Sequence, residues 1–272
     1  MMSPSPRSRS LLGAVLALAL FPGVALAASS WITPEFAITV EDLQGMVRSV
    51  PQTVQDAILK DPGGFMTLMA QVLDQPAELL VLVDKEHGLP ATYVPKDLVA
   101  LKNYPTVTAW AGVKLRKCIM PEVLKMVAAA AADGITITFS SAYRSFEYQQ
   151  GLYEREVKLY GKETADRESA VPGYSQHQLG TAVDFGSISD GYDKTAEGKW
   201  VAAHAGEYGF TISYPRGLES VTGYRYESWH YRYITVPGAL MQRRFFTDVQ
   251  QYFLVFLSEN RARLEQMRML RG

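Results

Sequence analysis

The chain of 272 residues contains one cysteine, so no intramolecular disulfide can stabilise it. Cys118 lies between basic and apolar residues in VKLRKCIMPEVL, which favours a buried small side chain over a nucleophile. Stability must therefore come from a hydrophobic core, with a bound metal ion as a further source.

An excess of charge of one sign is also missing. The formal net charge is −1, which gives no electrostatic reason to expect a nucleic-acid partner. Hydrophobic residues make up 47% of the chain and aromatic residues 11%, as is typical of a globular protein with a packed core.

The longest N-terminal apolar run, from Leu11 to Leu20, is shorter than the roughly 20 residues that a membrane span needs. Arg7 and Arg9 precede this run, and the small-residue pattern Ala25-Leu26-Ala27 follows it. This order predicts a secretory signal peptide over residues 1–27, and therefore a protein exported to the periplasm or cell envelope. An anchor that is not cleaved is the alternative.

Helices and short strands alternate irregularly through the rest of the chain, which predicts an α+β fold rather than a doubly wound sheet. Residues 28–78 are predicted to form a helical N-terminal extension, and residues 79–236 the main domain. Within that domain, the apolar run after Leu79 and the aromatic segment Tyr224–Ile234 are both predicted as strands.

Residues 237–272 are predicted to form an amphipathic helix, because their phenylalanines recur at helical spacing. The simpler interpretation is a helix that packs on the domain. The alternative is contact with a membrane surface, since arginines flank an unusually apolar stretch from Tyr252 to Leu257.

The chain has four histidines, two of which, with nearby carboxylates, are candidates for a metal site. His177 precedes Asp184 by seven residues, and His230 follows Glu227 by three. A hydrolytic zinc ion takes three ligands from His, Asp and Glu and leaves one position open for water. His177, Asp184 and His230 would supply these ligands, and Glu227 would be the base that moves the proton.

The spacing alone is weak evidence for this site. A single histidine is more often a hydrogen-bonded structural residue than a metal ligand, and we assign that role to His87 and His204. Asp184 is also compatible with a strand-end cap, and Glu227 with a solvated charge on a strand.

Four segments in this order strengthen the zinc interpretation: SAYRSFEYQQGLY, PGYSQHQLGTAVDFG, EGKWVAAHAGEYGF and YESWHYRY. Together, over roughly Leu80 to Ile234, they closely resemble the D-alanyl-D-alanine carboxypeptidases of the VanY type, a zinc peptidase family with S-x-H-x(6)-D and E-x-x-H motifs. The resemblance implies a compact α+β domain, with a small antiparallel sheet that carries the zinc site.

The resemblance implies roles for seven residues. It places His177, Asp184 and His230 as zinc ligands and Glu227 as the catalytic base. Arg144 is similar to an arginine that meets anionic charge on the substrate or transition state, and Gln149 and Ser175 match positions that help bind the terminal D-alanine. Two simpler interpretations stay open: Ser175 as a turn-stabilising hydroxyl and Gln149 as a polar residue on a helix surface.

The chain departs from the family pattern at two positions, neither of which is one of these seven residues. The family often has Glu before the first histidine, where this chain has Gln176, and often has E-P-W-H, where this chain has Ser228 in place of Pro. We expect the activity to survive both changes, whereas the substrate preference is open.

The sequence therefore predicts a zinc carboxypeptidase that removes the terminal D-alanine from peptidoglycan stem peptides. Three alternatives remain at this point: an L,D-carboxypeptidase, an endopeptidase of the same fold that cuts crosslinks, and a cell-wall binding protein without hydrolytic activity.

Overall fold

The computed structural model of the protein describes residue 1 and residues 31–270. Apart from residue 1, the predicted signal peptide lies outside the described residues. The α-helices of the described part are α1 (Val40–Met46), α2 (Gln52–Lys60), α3 (Pro62–Leu73), α4 (Met120–Ala132), α5 (Phe146–Tyr160), α6 (Lys162–Glu168), α7 (Ala196–His204), α8 (Glu219–Thr222), α9 (Val236–Phe245) and α10 (Gln250–Met269). Its strands are β1 (Leu98–Ala100), β2 (Thr108–Ala109), β3 (Lys114–Arg116), β4 (Thr138–Ser141), β5 (Ala182–Phe185), β6 (Phe210–Ile212) and β7 (His230–Tyr233).

Five of the strands form one sheet in the order β2-β4-β5-β7-β6, and β1 pairs with β3 in a separate antiparallel ribbon. The α+β prediction is confirmed. The sheet departs from an all-antiparallel arrangement at one edge, where β2 and β4 are parallel. The reason is the connection: α4 lies between β2 and β4 in the chain, and a helical crossover returns the next strand in the same direction.

The two faces of the sheet differ because successive side chains of a strand point to opposite sides. Val183 and Phe185 of β5 are fully buried in a core that also contains residues of α4 and α7. Phe185 stacks edge to face on Phe139 of β4, with ring centroids 5.1 Å apart. Asp184, between these two apolar residues, is therefore directed to the opposite face of the sheet.

A second core joins the two ends of the described chain. Helices α1 to α3 and helices α9 and α10 contribute to the same cluster of buried apolar residues. Phe65 of α3 is its centre: its ring lies 5.3 Å from that of Phe245 and 5.7 Å from that of Phe256, both in T-shaped contacts. The N-terminal and C-terminal segments thus fold together.

The C-terminal segment is two helices rather than one. Thr247 and Asp248 adopt positive φ angles of 51° and 61°, a conformation that cannot continue a right-handed helix, so α9 ends at Phe245 and α10 begins at Gln250. Phe245, Phe253 and Phe256 are buried in the core. Contact of this segment with a membrane surface stays a prediction, and none of the described helices is long and apolar enough to cross a bilayer.

Two of the predicted strands are wrong in detail. The run after Leu79 buries Leu80 and Leu82 but has no strand partner, because its carbonyls accept hydrogen bonds from a side chain, the buried Arg232. In the aromatic segment only His230–Tyr233 is a strand. The residues before it form a loop, in which the Glu227 amide donates to the Tyr214 carbonyl. The alternating aromatic residues of this segment therefore reflect burial and not a strand.

The setting of Cys118 also differs from the prediction. The residue is exposed, and its backbone amide donates to Asp97.

Candidate active site

His177 lies in a single 3-10 turn, Gln176–Leu179, that leads into β5. Ser175 begins the turn by accepting a hydrogen bond from the His177 amide at 3.3 Å, and Gly180 ends it in a left-handed conformation. The ring is buried, and its Nδ1–H donates to the Ala142 carbonyl at 2.6 Å. This bond leaves Nε2 as the nitrogen that faces Asp184, 3.4 Å from Oδ1.

Sheet register brings the other two predicted ligands together. Asp184 of β5 pairs with His230, the first residue of β7, so both side chains project from the same face. Nδ1 of His230 lies 3.2 Å from Asp184 Oδ1, and the His230 ring centroid lies 4.8 Å from that of His177. In the structure, as the sequence predicted, the imidazoles of His177 and His230 both lie beside Asp184.

The chemistry of this cluster fits a divalent metal. One ligand atom from each of His177, Asp184 and His230 lies within 4.8 Å of the others, and all three residues are buried. Asp184 Oδ1 is buried without a hydrogen bond, although unsatisfied buried carboxylate oxygens are costly. Two imidazoles and one carboxylate are ligands that zinc binds in hydrolytic sites.

Protonation states favour the same conclusion. Burial, assisted by the positive charge of Arg144, lowers the pKa of His177 to about 4, so its imidazole is neutral and can act as a ligand. Burial alone would raise the pKa of Asp184, but the Arg144 guanidinium bonded to its Oδ2 holds it well below its usual range. The carboxylate is therefore ionised.

Glu227 lies beside this cluster in the loop before β7, not in the strand that the sequence predicted. Its Oε2 is 3.5 Å from His230 Nδ1. Burial, together with the negative charge of Asp184, raises the pKa of the Glu227 carboxyl to about 8. A carboxyl group that titrates near neutral pH is suited to accept and return a proton.

Arg144 follows β4 and contacts the cluster directly. Its Nη2 donates to Asp184 Oδ2 at 2.5 Å, and both Nη2 and Nε donate to the Ser141 hydroxyl. The resemblance placed this arginine against substrate charge; the structure adds that it also binds the second oxygen of Asp184. Because Oδ2 is occupied in this way, Oδ1 is the oxygen left for a metal.

Gln149 and Ser175 line the same cleft. Gln149 is not a surface residue of α5: it is buried, and its Nε2 donates to the Ala170 carbonyl at 2.8 Å. Its Oε1 is buried without a hydrogen-bond partner. Ser175 does stabilise the turn, as the simpler interpretation proposed, and its position on the cleft is compatible with substrate contact as well.

The cleft has a volume of about 510 Å³ and extends well beyond the predicted residues. Sequence reasoning missed its rim, where Trp110, Tyr148 and Ile188 are exposed. It also missed Arg225, which ion-pairs with Glu168 and with Asp190. These residues come from separate loops and helices, so no local sequence pattern joins them, and their shared position on the cleft is apparent only from the fold.

The two remaining histidines lie outside the cleft. His87 Nδ1 is 2.8 Å from Asp84 Oδ1, and His204 Nδ1 is 3.3 Å from Glu207 Oε1. Each is thus bonded to a carboxylate of its own segment.

Comparison with known proteins identifies relatives of this chain by sequence and by structure. A family model described as VanY, D-alanyl-D-alanine carboxypeptidase, matches residues 112–236. YodJ of Bacillus subtilis (strain 168), which is named as a carboxypeptidase, is 36% identical over 194 residues; the match covers 67% of this chain and 70% of YodJ.

Two solved structures share the fold. The LD-carboxypeptidase LdcB superposes with a TM-score of 0.58 at 34% identity, covering 64% of this chain and 85% of LdcB. A variant of the vancomycin-resistance D,D-pentapeptidase VanY, solved in complex with Zn(II), superposes with a TM-score of 0.55 at 30% identity, covering 65% of this chain and 99% of that chain.

The turn that presents His177 should depend on Gly180. An added methyl group at this position would lie 3.0 Å from Leu98 Cδ2 and 3.1 Å from Arg116 Cγ, on a backbone with φ of +69°. We expect Gly180→Ala to lower the free energy of unfolding by more than the about 1–2 kcal/mol that left-handed strain costs alone. The measurement is urea denaturation.

Gly134→Ala is the matched control. Gly134 has a similar φ of +73°, but no heavy atom lies within 4 Å of an added methyl group. It therefore incurs strain without crowding, and equal losses in the two variants would contradict the packing argument.

Proposed function

This chain belongs to the VanY family of D-alanyl-D-alanine carboxypeptidases, and we propose that it uses zinc held by His177, Asp184 and His230 to release the terminal D-alanine from peptidoglycan stem peptides. One observation supports the proposal most directly: the three ligand atoms lie within 4.8 Å of one another, beside the buried carboxyl group of Glu227.

The ligand atoms follow from the hydrogen bonds of each side chain. His177 offers Nε2 because Nδ1 is bound to a carbonyl, His230 offers Nδ1, and Asp184 offers Oδ1. When bound at such a site, zinc lowers the pKa of a coordinated water and polarises the substrate carbonyl.

Glu227 is the proposed base. It takes a proton from the water that attacks the carbonyl before the terminal D-alanine, and it returns the proton to the leaving amine. It lies beside His230, next to the proposed zinc ligands, and its burial raises the pKa of its carboxyl group to about 8.

Arg144 is the proposed partner of negative charge. Its guanidinium is permanently charged and lines the cleft, so it can stabilise the charge that develops on the carbonyl oxygen or bind the free carboxylate of the substrate. A free substrate carboxylate bound there restricts cleavage to the chain end, which is what a carboxypeptidase requires.

Gln149 and Ser175 are the proposed binding residues for the terminal D-alanine. The Gln149 amide is oriented by its bond to Ala170, which leaves the acceptor Oε1 unpaired. We therefore propose that Gln149 accepts a hydrogen bond from an N–H of the substrate, whereas Ser175 can donate its hydroxyl hydrogen, since its oxygen already accepts from His177.

We also propose that the protein is exported. The order of Arg7, the apolar run and Ala25-Leu26-Ala27 supports a cleavable signal peptide, and stem peptides lie outside the cytoplasmic membrane. In an export-competent bacterial host, we expect mass spectrometry of the released protein to find residue 28 at its N-terminus. Recovery of a chain that still begins at Met1 would contradict cleavage.

The zinc ligands can be tested by their metal content. We expect purified protein to contain a stoichiometric amount of zinc, and His230→Ala to lose both the zinc and the release of D-alanine, because the site keeps only two ligands. His204→Ala is the control, since this histidine lies outside the cleft and contacts Glu207 and Trp200 of its own segment. Chelation should abolish activity and added zinc should restore it; a chelated wild-type protein at full activity would contradict the proposal.

The base can be tested by an isosteric change. We expect Glu227→Gln to retain zinc and to lower kcat for D-alanine release from a pentapeptide by roughly 10²–10⁴-fold, because the amide cannot accept the proton. Glu122→Gln, on α4 and paired with Lys125, is the control and should be unaffected. Equal rates in wild-type and Glu227→Gln protein would exclude this role for Glu227.

The same assay identifies which bond of the peptidoglycan peptides the protein cleaves. Purified pentapeptides, tetrapeptides and crosslinked dimers are digested in parallel, and the products are weighed by mass spectrometry. We expect D-alanine loss from pentapeptides. Loss from tetrapeptides alone would show an L,D-carboxypeptidase, like LdcB, and cleavage of dimers alone an endopeptidase.

A further inference from the structure

A buried row of polar side chains connects the first residue of α10 to the proposed zinc ligand His230. It consists of Gln250, Ser213 and Gln176, each at most 3% exposed. We propose that Gln176 and Gln250 are positioning residues that fix the orientation and tautomer of His230, so that the C-terminal helix is part of the metal centre. This inference rests on the zinc ligands proposed above.

The orientation of Gln250 is fixed at its amide nitrogen. Nε2 donates to the Thr211 carbonyl at 3.2 Å and to the Thr211 hydroxyl at 2.8 Å. Because a backbone carbonyl can only accept, the amide cannot rotate to exchange its nitrogen and oxygen. Oε1 of Gln250 must therefore face the other way, where it lies 3.4 Å from Gln176 Nε2 and 3.2 Å from the Ser213 hydroxyl.

The orientation of Gln176 follows from that of Gln250. Its Nε2 faces two acceptors, Gln250 Oε1 and the Val83 carbonyl, each at 3.4 Å. Its Oε1 consequently faces the site, where it accepts the Ser213 hydroxyl hydrogen at 2.7 Å and lies 3.3 Å from His230 Nε2.

This arrangement selects one tautomer of His230. An acceptor opposite Nε2 favours a hydrogen on that nitrogen, which leaves the lone pair on Nδ1, and Nδ1 is the atom 3.2 Å from Asp184 Oδ1. Ligand histidines in metal sites generally donate their second ring N–H to such a partner, which orients the ring and raises its basicity. The Ala142 carbonyl does this for His177.

The same geometry explains why glutamine suits position 176 in this chain. A glutamate there would direct one carboxylate oxygen at the Val83 carbonyl and at Gln250 Oε1, both of which only accept hydrogen bonds. Gln176 and Gln250 are thus matched to each other. Gln250 lies outside residues 112–236, the part of the chain that the family model covers.

The test compares zinc affinity by competition with a chromophoric chelator in Gln176→Leu, Gln250→Leu and Gln242→Leu. Gln242 is the matched control, because it is equally buried in the C-terminal segment but bonds to Asp248, away from the site. We expect Gln176→Leu to weaken zinc binding about 10–100-fold and Gln250→Leu about tenfold, whereas Gln242→Leu binds zinc like wild type.

Two further measurements separate positioning from loss of structure. The visible spectrum of the cobalt-substituted protein reports the geometry of the ligands, and it should change in Gln176→Leu and Gln250→Leu but not in Gln242→Leu. Gln250→Glu is isosteric and places an oxygen against the Thr211 carbonyl, so it should show the same loss of affinity even if Gln250→Leu does not fold.

The outcomes are distinguishable. Wild-type zinc affinity and cobalt spectrum in folded Gln250→Leu or Gln250→Glu protein would overturn the positioning role and leave the zinc ligands intact. A wild-type protein that binds no zinc would instead overturn the proposed function itself.

Discussion

The rest of the site depends on one buried ion, the carboxylate of Asp184. An isolated carboxylate in a protein interior costs several kcal/mol, so it persists only where compensating groups surround it. Here Arg144 binds one oxygen, and the imidazoles of His177 and His230 face the other. Each of these partners comes from a different part of the chain, and each is held by its own hydrogen bonds. The loop after β4, the turn before β5 and the start of β7 thus meet at one carboxylate, whose charge Arg144 balances at Oδ2 and a divalent cation held with the two imidazoles would balance at Oδ1.

The sheet meets this requirement because its two faces are chemically distinct. Val183 and Phe185 bury one face in the core beneath α4 and α7, which prevents β5 from shifting register, since a shift of one residue would place Asp184 in that core. Asp184 therefore has a single possible environment, opposite His230. Apolar packing on one face of the strand fixes the geometry of the polar chemistry on the other.

Much of the candidate zinc site could be predicted from the sequence, because its candidate ligands lie in short motifs. His177 and Asp184 are separated only by a turn ending at Gly180, and Glu227 and His230 lie on either side of a strand end. The errors arose where long-range contacts decide the structure. The run after Leu79 has the pattern of a strand, but its carbonyls accept hydrogen bonds from the side chain of the distant Arg232. The positive φ angles of Thr247 and Asp248 divide the C-terminal segment into two helices, and the spacing of apolar side chains does not reveal such backbone angles. The bond of Gln176 to Gln250 joins residues 74 positions apart, and no local pattern encodes it.

The two cores explain why such distant contacts matter for the site. One core contains the sheet, and the other contains the helices of both chain ends, with Ile234, the residue that follows β7, buried among them. His230 begins β7 and α9 begins two residues after Ile234, so one short strand connects this candidate ligand to the C-terminal helices. In the proposed arrangement, the polar link from α10 to His230 fixes the ring itself, because hydrogen bonds specify orientation whereas apolar packing specifies only proximity. In that arrangement, helix α10 contributes no group that reacts with the substrate, but it holds the imidazole of His230 in position.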